Sequence, residues 1–385
     1  MRILRLAISG NSFHQMQNDP QLMRLQLPTV PPISADELVA KARRANPELV
    51  AGWLRRRVKS GAARAGVMVS RIDEEGRRYV AVTHNDKVAL PAGAEAELRQ
   101  DNPRLVELQA TYDALDLPSA VHTQWRQGFL KKNLSLAWFR GDNAYVWQFR
   151  QLGHAARIRM YLAMLDVQER DSLGLFNKLE EDGLFGAFTF EFGTRPAVSR
   201  DLLDSINEIN YLDDQMGLAS IDGLRVLDIG AGYGRLAHRM STAFPDLAAY
   251  DCVDAVATST FLCEYYTKFR GLPDTVRVVP LHEHEKLADR YDVAVNIHSF
   301  SEASHEAVCW WLDRIAERDI PWLLIVPNTP DELRSTELDG SMKPFRQDVL
   351  DRGYELVDDR PIHQSDELRE LIDLHDRFYL FRKKA

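Results

Sequence analysis

The chain has 385 residues, 45% of them hydrophobic and 27% charged, the profile of an ordinary globular protein with room for two domains and a sizeable core. A formal net charge of -9 excludes a general nucleic-acid binder, which would carry a basic footprint. No apolar run approaches the roughly 20 residues that span a bilayer, and three cysteines without a Cys-x-x-Cys pair argue against a disulfide scaffold or a zinc site.

The opening MRILRLAISGNSFHQ has too short an apolar stretch for a secretory signal, so a cytoplasmic protein with reduced thiols is expected. Pro28, Pro31 and Pro32 predict an extended linker over the first 33 residues. Ser34 with Glu37 forms a capping box, and helices are expected near Ala35–Ala45 and Pro47–Ser60. Arg55, Arg56, Arg57 and Lys59 read as a solvated face of the second. Val67–Leu90 reads as a small hairpin about Asp73-Glu74-Glu75-Gly76. Asn102-Pro103 caps the next helix. A mostly helical pattern runs from Val121 to about Gly183, broken at Gly141-Asp142-Asn143 just before Tyr145 and Trp147, which are candidate stacking platforms or core. Gly183–Pro196, rich in glycine and phenylalanine, is expected to connect an N-terminal domain (1–195) to a C-terminal one (196–385).

Ser199 caps one more helix, whose apolar side is Leu202, Leu203, Ile206 and Ile209. From there strands and helices alternate. Strands are expected at Leu224–Ile229, Asp246–Asp254, Thr275–Pro280, Asp292–Ile297 and Trp322–Val326. A loop, a helix near Phe345–Arg352, and strands at Tyr354–Val357 and Arg377–Phe381 follow. Such alternation makes a parallel sheet with helices on both faces.

The chemistry centres on Leu224–Met240, LRVLDIGAGYGRLAHRM, a strand entering a helix through Gly230, Gly232 and Gly234. Glycines there let the backbone approach a ligand. The spacing is G-x-G-x-G rather than the dinucleotide G-x-G-x-x-G, and Asp228 stands two residues before the first glycine. A carboxylate at that point is poor company for a pyrophosphate and suits an ammonium group, such as the amino-acid end of S-adenosylmethionine.

Ligands of an open parallel sheet lie past the carboxyl ends of its strands. Asp254, about twenty residues beyond the glycine loop, is the candidate for ribose hydroxyls, ahead of Asp251 on the opposite face. His282 and Glu283 follow the third strand as candidates for the adenine. The i, i+2 spacing of His282 and His284 does not point to a metal, and none is expected. His298-Ser299-Phe300-Ser301-Glu302 follows the fourth strand. His298 is the first candidate for a general base, Glu302 the second and His305 the third.

The glycine loop resembles the first motif of class I methyltransferases. Together with CVDAVATSTFLCEYYTKFRGL, the Ser301-Glu302 pair and VSRDLLDSINEINYL, it resembles the bacterial sugar O-methyltransferases over about Asp182–Pro327, and less closely over Asn102–Gln151. The resemblance implies a seven-stranded Rossmann-like domain with its last strand antiparallel beside the fifth, preceded by a mostly helical domain that covers the acceptor. It implies methyl transfer from S-adenosylmethionine to a hydroxyl of a sugar or glycosylated metabolite. The residues expected around that cofactor are Asp228, Gly230, Ala231, Gly232, Tyr233, Asp254, Ala255, His282, Glu283 and Ile297. A small-molecule or saccharide acceptor is the expected partner, with no nucleic acid and no membrane. The oligomeric state stays open. So do a non-sugar acceptor, a nicotinamide oxidoreductase and a non-catalytic S-adenosylmethionine-binding protein.

Overall fold

The structure is a computed structural model that describes residues 83–125, 127–143, 146, 154–328 and 332–384. The expected linker, the first two helices, the basic cluster at Arg55–Lys59, most of the small hairpin, and Tyr145 and Trp147 lie outside those residues.

A seven-stranded sheet organises the chain. Its strands are β1 (Arg225–Ile229), β2 (Ala249–Val253), β3 (Val276–Val278), β4 (Val293–Ile297), β5 (Trp322–Val326), β8 (Tyr354–Pro361) and β9 (Arg377–Lys383). Their order is β3-β2-β1-β4-β5-β9-β8, with β6 (Arg334–Thr336) and β7 (Met342–Pro344) paired as a separate hairpin. The pairs from β3 through β5 are parallel, and β9 is antiparallel to both β5 and β8. This is the mostly parallel Rossmann-like sheet that the sequence led us to expect, with the antiparallel strand in its expected place. The inner strands are buried nearly along their length because both their faces are covered, Asp228, Asp251 and Asn296 included. All five residues of β2 are buried, as are the first four of β4.

The helices are α1 (Ala94–Glu97), α2 (Pro103–Asp113), α3 (Gln127–Asn133), α4 (His154–Glu169), α5 (Arg200–Met216), α6 (Arg235–Ala243), α7 (Ala257–Phe269), α8 (His305–Glu317), α9 (Arg346–Asp351) and α10 (Asp366–Ile372). Their caps are the ones the sequence offers. Asn102 accepts from Arg104 N with Pro103 in the first turn, and Ser199 accepts from Leu202 N at the head of α5. Ser365 does the same for α10, which fills the gap between β8 and β9. Two expectations need correction. Residues 134–143 and 170–183 are turns and short 3-10 segments rather than helix, because Gly141, Gly174 and Gly183 interrupt the pattern; the last two hold φ values of 65° and 71°. The loop expected after β5 contains the β6–β7 hairpin, whose three-residue strands are too short to leave a periodic signal.

Two hydrophobic clusters cover the sheet, and both span the expected boundary at 195/196. One joins Met160, Leu165, Phe188, Phe190 and Phe192 to Ile206, Val226, Val293 and Leu380. The other joins Leu105, Tyr112, Phe139 and Phe185 to Leu227, Ile229, Tyr266 and Leu323. The segment expected as a connection is thus core on both sides.

A buried ionic network stitches the same parts together. Arg140 is fully buried and gives both oxygens of Glu181 a hydrogen bond, at 2.8 and 3.0 Å. Glu181 also receives Arg239 of α6 at 3.2 Å and the Ser199 hydroxyl at 2.6 Å. The two guanidiniums hold the Glu181 carboxyl down at about 2 in spite of its burial.

Candidate functional site

The carboxyl ends of β1 and β4 meet where the strand order reverses, and the glycine loop lies over that point. Gly230, Gly232 and Gly234 have φ of 75°, 61° and 85°, so each adopts a backbone that other residues resist. The loop is tied to the end of β2: Gly230 N and Ala231 N donate to Val253 O at 2.8 and 3.3 Å. Asp254 fixes the next turn, taking Gly232 N on Oδ2 at 3.0 Å and Val256 N on Oδ1 at 2.8 Å.

At Gly230 the structure corrects the expectation that the missing side chain clears room for a ligand. A β-carbon there would stand 2.1 Å from Ser299 Oγ. The close approach is between the β1 loop and the β4 loop. Asn296, wholly buried, locks it by donating to Ile229 O at 2.8 Å and to Ser299 Oγ at 2.6 Å.

Three buried carboxyl groups surround this junction. Asp228 has Tyr250 as its hydroxyl donor at 2.8 Å, and burial pushes its carboxyl up to about 7. Glu208 of α5 is pushed up to about 7 by burial, although Arg235 holds both its oxygens at 2.8 and 2.9 Å. Asp254 is pushed up to about 6 by burial against its two backbone donors. Asp228 feels both Glu208 and Asp254 as further negative charge and Arg235 as positive. Burial is the largest cause of all three shifts, and a cation placed beside these groups would favour their ionised forms.

His298 ends β4 with φ of 68°, its N–H donating to Val326 O at 2.6 Å. Its surroundings are charged: Arg200 pairs with Asp204 at 3.2 Å and Asp376 at 3.1 Å, and both acids with Arg200 and Arg235 act on the ring. Burial, the largest influence, lowers its pKa and keeps the imidazole neutral near pH 7. Glu302 is anchored rather than free, taking Trp125 Nε1 at 2.9 Å and Asn328 Nδ2 at 2.8 Å. The His305 ring is turned to Asp348, 2.9 Å away, and to Cys309.

Ala231, Ala255 and Ile297 lie partly exposed around the loop, as a ligand surface requires. Tyr233 turns its side chain inward as a strut, 3% exposed, packed on Phe139 and Tyr266 and donating to Asp201. Glu283 pairs its carboxylate with the exposed Lys286 at 2.7 Å. His282 stands edge-on to Tyr112, and its Nδ1 is buried with no hydrogen-bond partner among the described residues. Asp251, the rival for the ribose, is consumed by Arg277, Tyr291 and Ala288 N.

The sequence reading missed Arg200, Asp204, Glu208, Arg235 and Asp376. A signal was available for three of them: Arg200, Asp204 and Glu208 fall at i, i+4 and i+8, one stripe of α5, beside its apolar face.

No family model matches this chain, and a search of curated proteins finds no match. Among solved structures, the mitomycin 7-O-methyltransferase MmcR is 21% identical with a TM-score of 0.34, over 47% of this chain and 57% of that one. The [4+2]-cyclase SpnF is 15% identical with a TM-score of 0.36, over 58% of this chain and 94% of that one. StiE O-MT is 14% identical with a TM-score of 0.36, over 48% and 76%.

Proposed function

We propose that this chain is an S-adenosylmethionine-dependent O-methyltransferase acting on a hydroxyl of a sugar or glycosylated metabolite. The observation that carries the cofactor is the charge of the pocket. Asp228, Glu208 and Asp254 are buried together at the strand-order reversal, with carboxyl groups raised to between about 6 and about 7. That pocket suits a sulfonium and an ammonium and opposes a pyrophosphate. Asp254 and the backbone at Gly230–Gly232 would hold the ribose and amino-acid ends, and the orphaned Nδ1 of His282 suits the adenine edge. The sugar class rests on the resemblance of the longer sequence segments.

When bound, S-adenosylmethionine supplies an electrophilic methyl group. The protein's share is position and a proton acceptor. His298, kept neutral by its burial, takes the acceptor hydroxyl's proton as the oxygen attacks. Glu302, fixed by Trp125 and Asn328, holds the wall beyond it, and the residues before 196 cover the acceptor.

Calorimetry with S-adenosylmethionine and with NAD tests the cofactor; binding of NAD alone would overturn the reading. For the base, His298→Asn is the informative change, because asparagine tolerates the positive φ that alanine would strain. Turnover should fall at least 100-fold, the size of a general-base contribution, with cofactor affinity unchanged. Near-normal turnover would remove His298 from the mechanism.

A further inference from the structure

Away from the glycine loop, three metal-ligating side chains converge between α8 and α9. His305 and Cys309 are four residues apart on α8, so they stack on one face of the helix. Asp348 of α9 faces them. His305 Nε2 lies 2.9 Å from Asp348 Oδ2 and 3.9 Å from Cys309 Sγ, and Cys309 Sγ lies 3.4 Å from Asp348 Oδ1. One donor atom from each can be chosen so that all three lie within 4.8 Å of one another.

Three donor atoms this close can be drawn onto one face of a coordination tetrahedron. With zinc bonds of about 2.3 Å to sulfur and about 2.0–2.2 Å to nitrogen and oxygen, the N···O edge is about 3.4 Å and the two edges to sulfur about 3.6 Å. The two edges that share His305 Nε2, to Asp348 Oδ2 and to Cys309 Sγ, are each within about half an ångström of ideal, a shift that side-chain torsions supply, and the third edge closes within 4.8 Å. The frame is braced as well. Arg352 donates to Asp348 O at 2.9 Å and to Cys309 O at 3.4 Å, pinning the two helices beside the cluster. All three side chains are partly exposed, which leaves a path for an ion.

We propose that His305, Cys309 and Asp348 bind one divalent cation of the zinc class, with water in the fourth position. Thiolate and imidazole select a borderline-soft ion over magnesium or calcium, and three protein ligands leave one position open. Binding displaces the thiol proton to solvent and replaces three mutual hydrogen bonds with three metal bonds. The ion clamps α8 to α9 and so steadies the segment that carries Ser299–Glu302. The proposal stands apart from the methyl-transfer reading and does not depend on it.

The test uses the full chain, stripped with a chelator, dialysed, and titrated with cobalt(II). The expected result is a saturable thiolate-to-cobalt charge-transfer band at one ion per chain, with the intense visible bands of a tetrahedral site, abolished by added zinc. Cys309→Ser should remove the charge-transfer band. Asp348→Asn, which keeps the shape of the side chain, should weaken cobalt binding at least tenfold, with circular dichroism checking that each variant is folded. No saturable band in the wild-type protein, or a band undiminished in Cys309→Ser, overturns the proposal. If Cys309→Ser does not fold, Asp348→Asn decides: unchanged cobalt affinity there also overturns it.

Discussion

Asp228 concentrates the electrostatics of the site in one side chain. Its carboxyl is raised to about 7, so at pH 6 it is mostly protonated in the free protein. A cationic ligand favours the ionised form, so binding near pH 6 must release protons. Affinity for S-adenosylmethionine should therefore rise from pH 5 to about 7 and then level off. Calorimetry in buffers of different ionisation heat reads the released protons directly. Asp228→Asn should weaken binding about tenfold or more, the value of a hydrogen bond to a charged group, and should flatten the pH dependence. A variant that binds as tightly as the wild type would remove Asp228 from the cofactor site. The acid before the glycines was legible in the sequence; Glu208 showed there only as part of a polar stripe on α5, because its place beside Asp228 exists only once folding brings α5 against α6.

At the scale of elements, the junction between the β1 and β4 loops sets the geometry of the site. Gly230→Ala meets Ser299 and also strains a φ of 75°. It should lower the melting temperature markedly. Adding Ser299→Gly should restore only part of the loss, leaving the backbone strain of about 1–2 kcal/mol. Full rescue would mean that the collision alone matters. The long elements were readable because their apolar spacing repeats over several turns, as in α5 and α7, or because the strand is continuously apolar, as in β5. The β6–β7 hairpin and the turns at 134–140 escaped, since three-residue strands and short turns have no period to detect. The His305–Cys309 spacing was visible, but its third member lies 39 positions from Cys309 on another helix.

For the molecule as a whole, Glu181 joins residues before 196 to the sheet. Glu181→Gln removes the buried carboxylate that Arg140 and Arg239 share, leaving Arg140 with Asp201 and Asp182, and should cost about 3–5 kcal/mol in urea unfolding. The Glu181 carboxyl is depressed to about 2 in the folded state from an ordinary 4.5, so its contribution is present above pH 4.5 and fades as the pH falls towards 2. The gap between wild type and variant should narrow over that range; a gap of constant size would assign the loss to packing. Two clusters that each reach across the expected domain boundary could not be inferred from composition, because the same phenylalanines serve a linker or a core equally well until the sheet is placed.

The β6–β7 hairpin holds the far side of the site. Thr336 donates its N–H to Ala303 O and its hydroxyl to Ser301 O, and Glu337 takes His305 N. The segment that carries Ser301 and Glu302 is thus suspended from the hairpin. A change in the length or charge of residues 332–345 would therefore be felt first by Ser301, Glu302 and His305, which makes the hairpin the natural place to graft when the proposed acceptor side is to be reshaped.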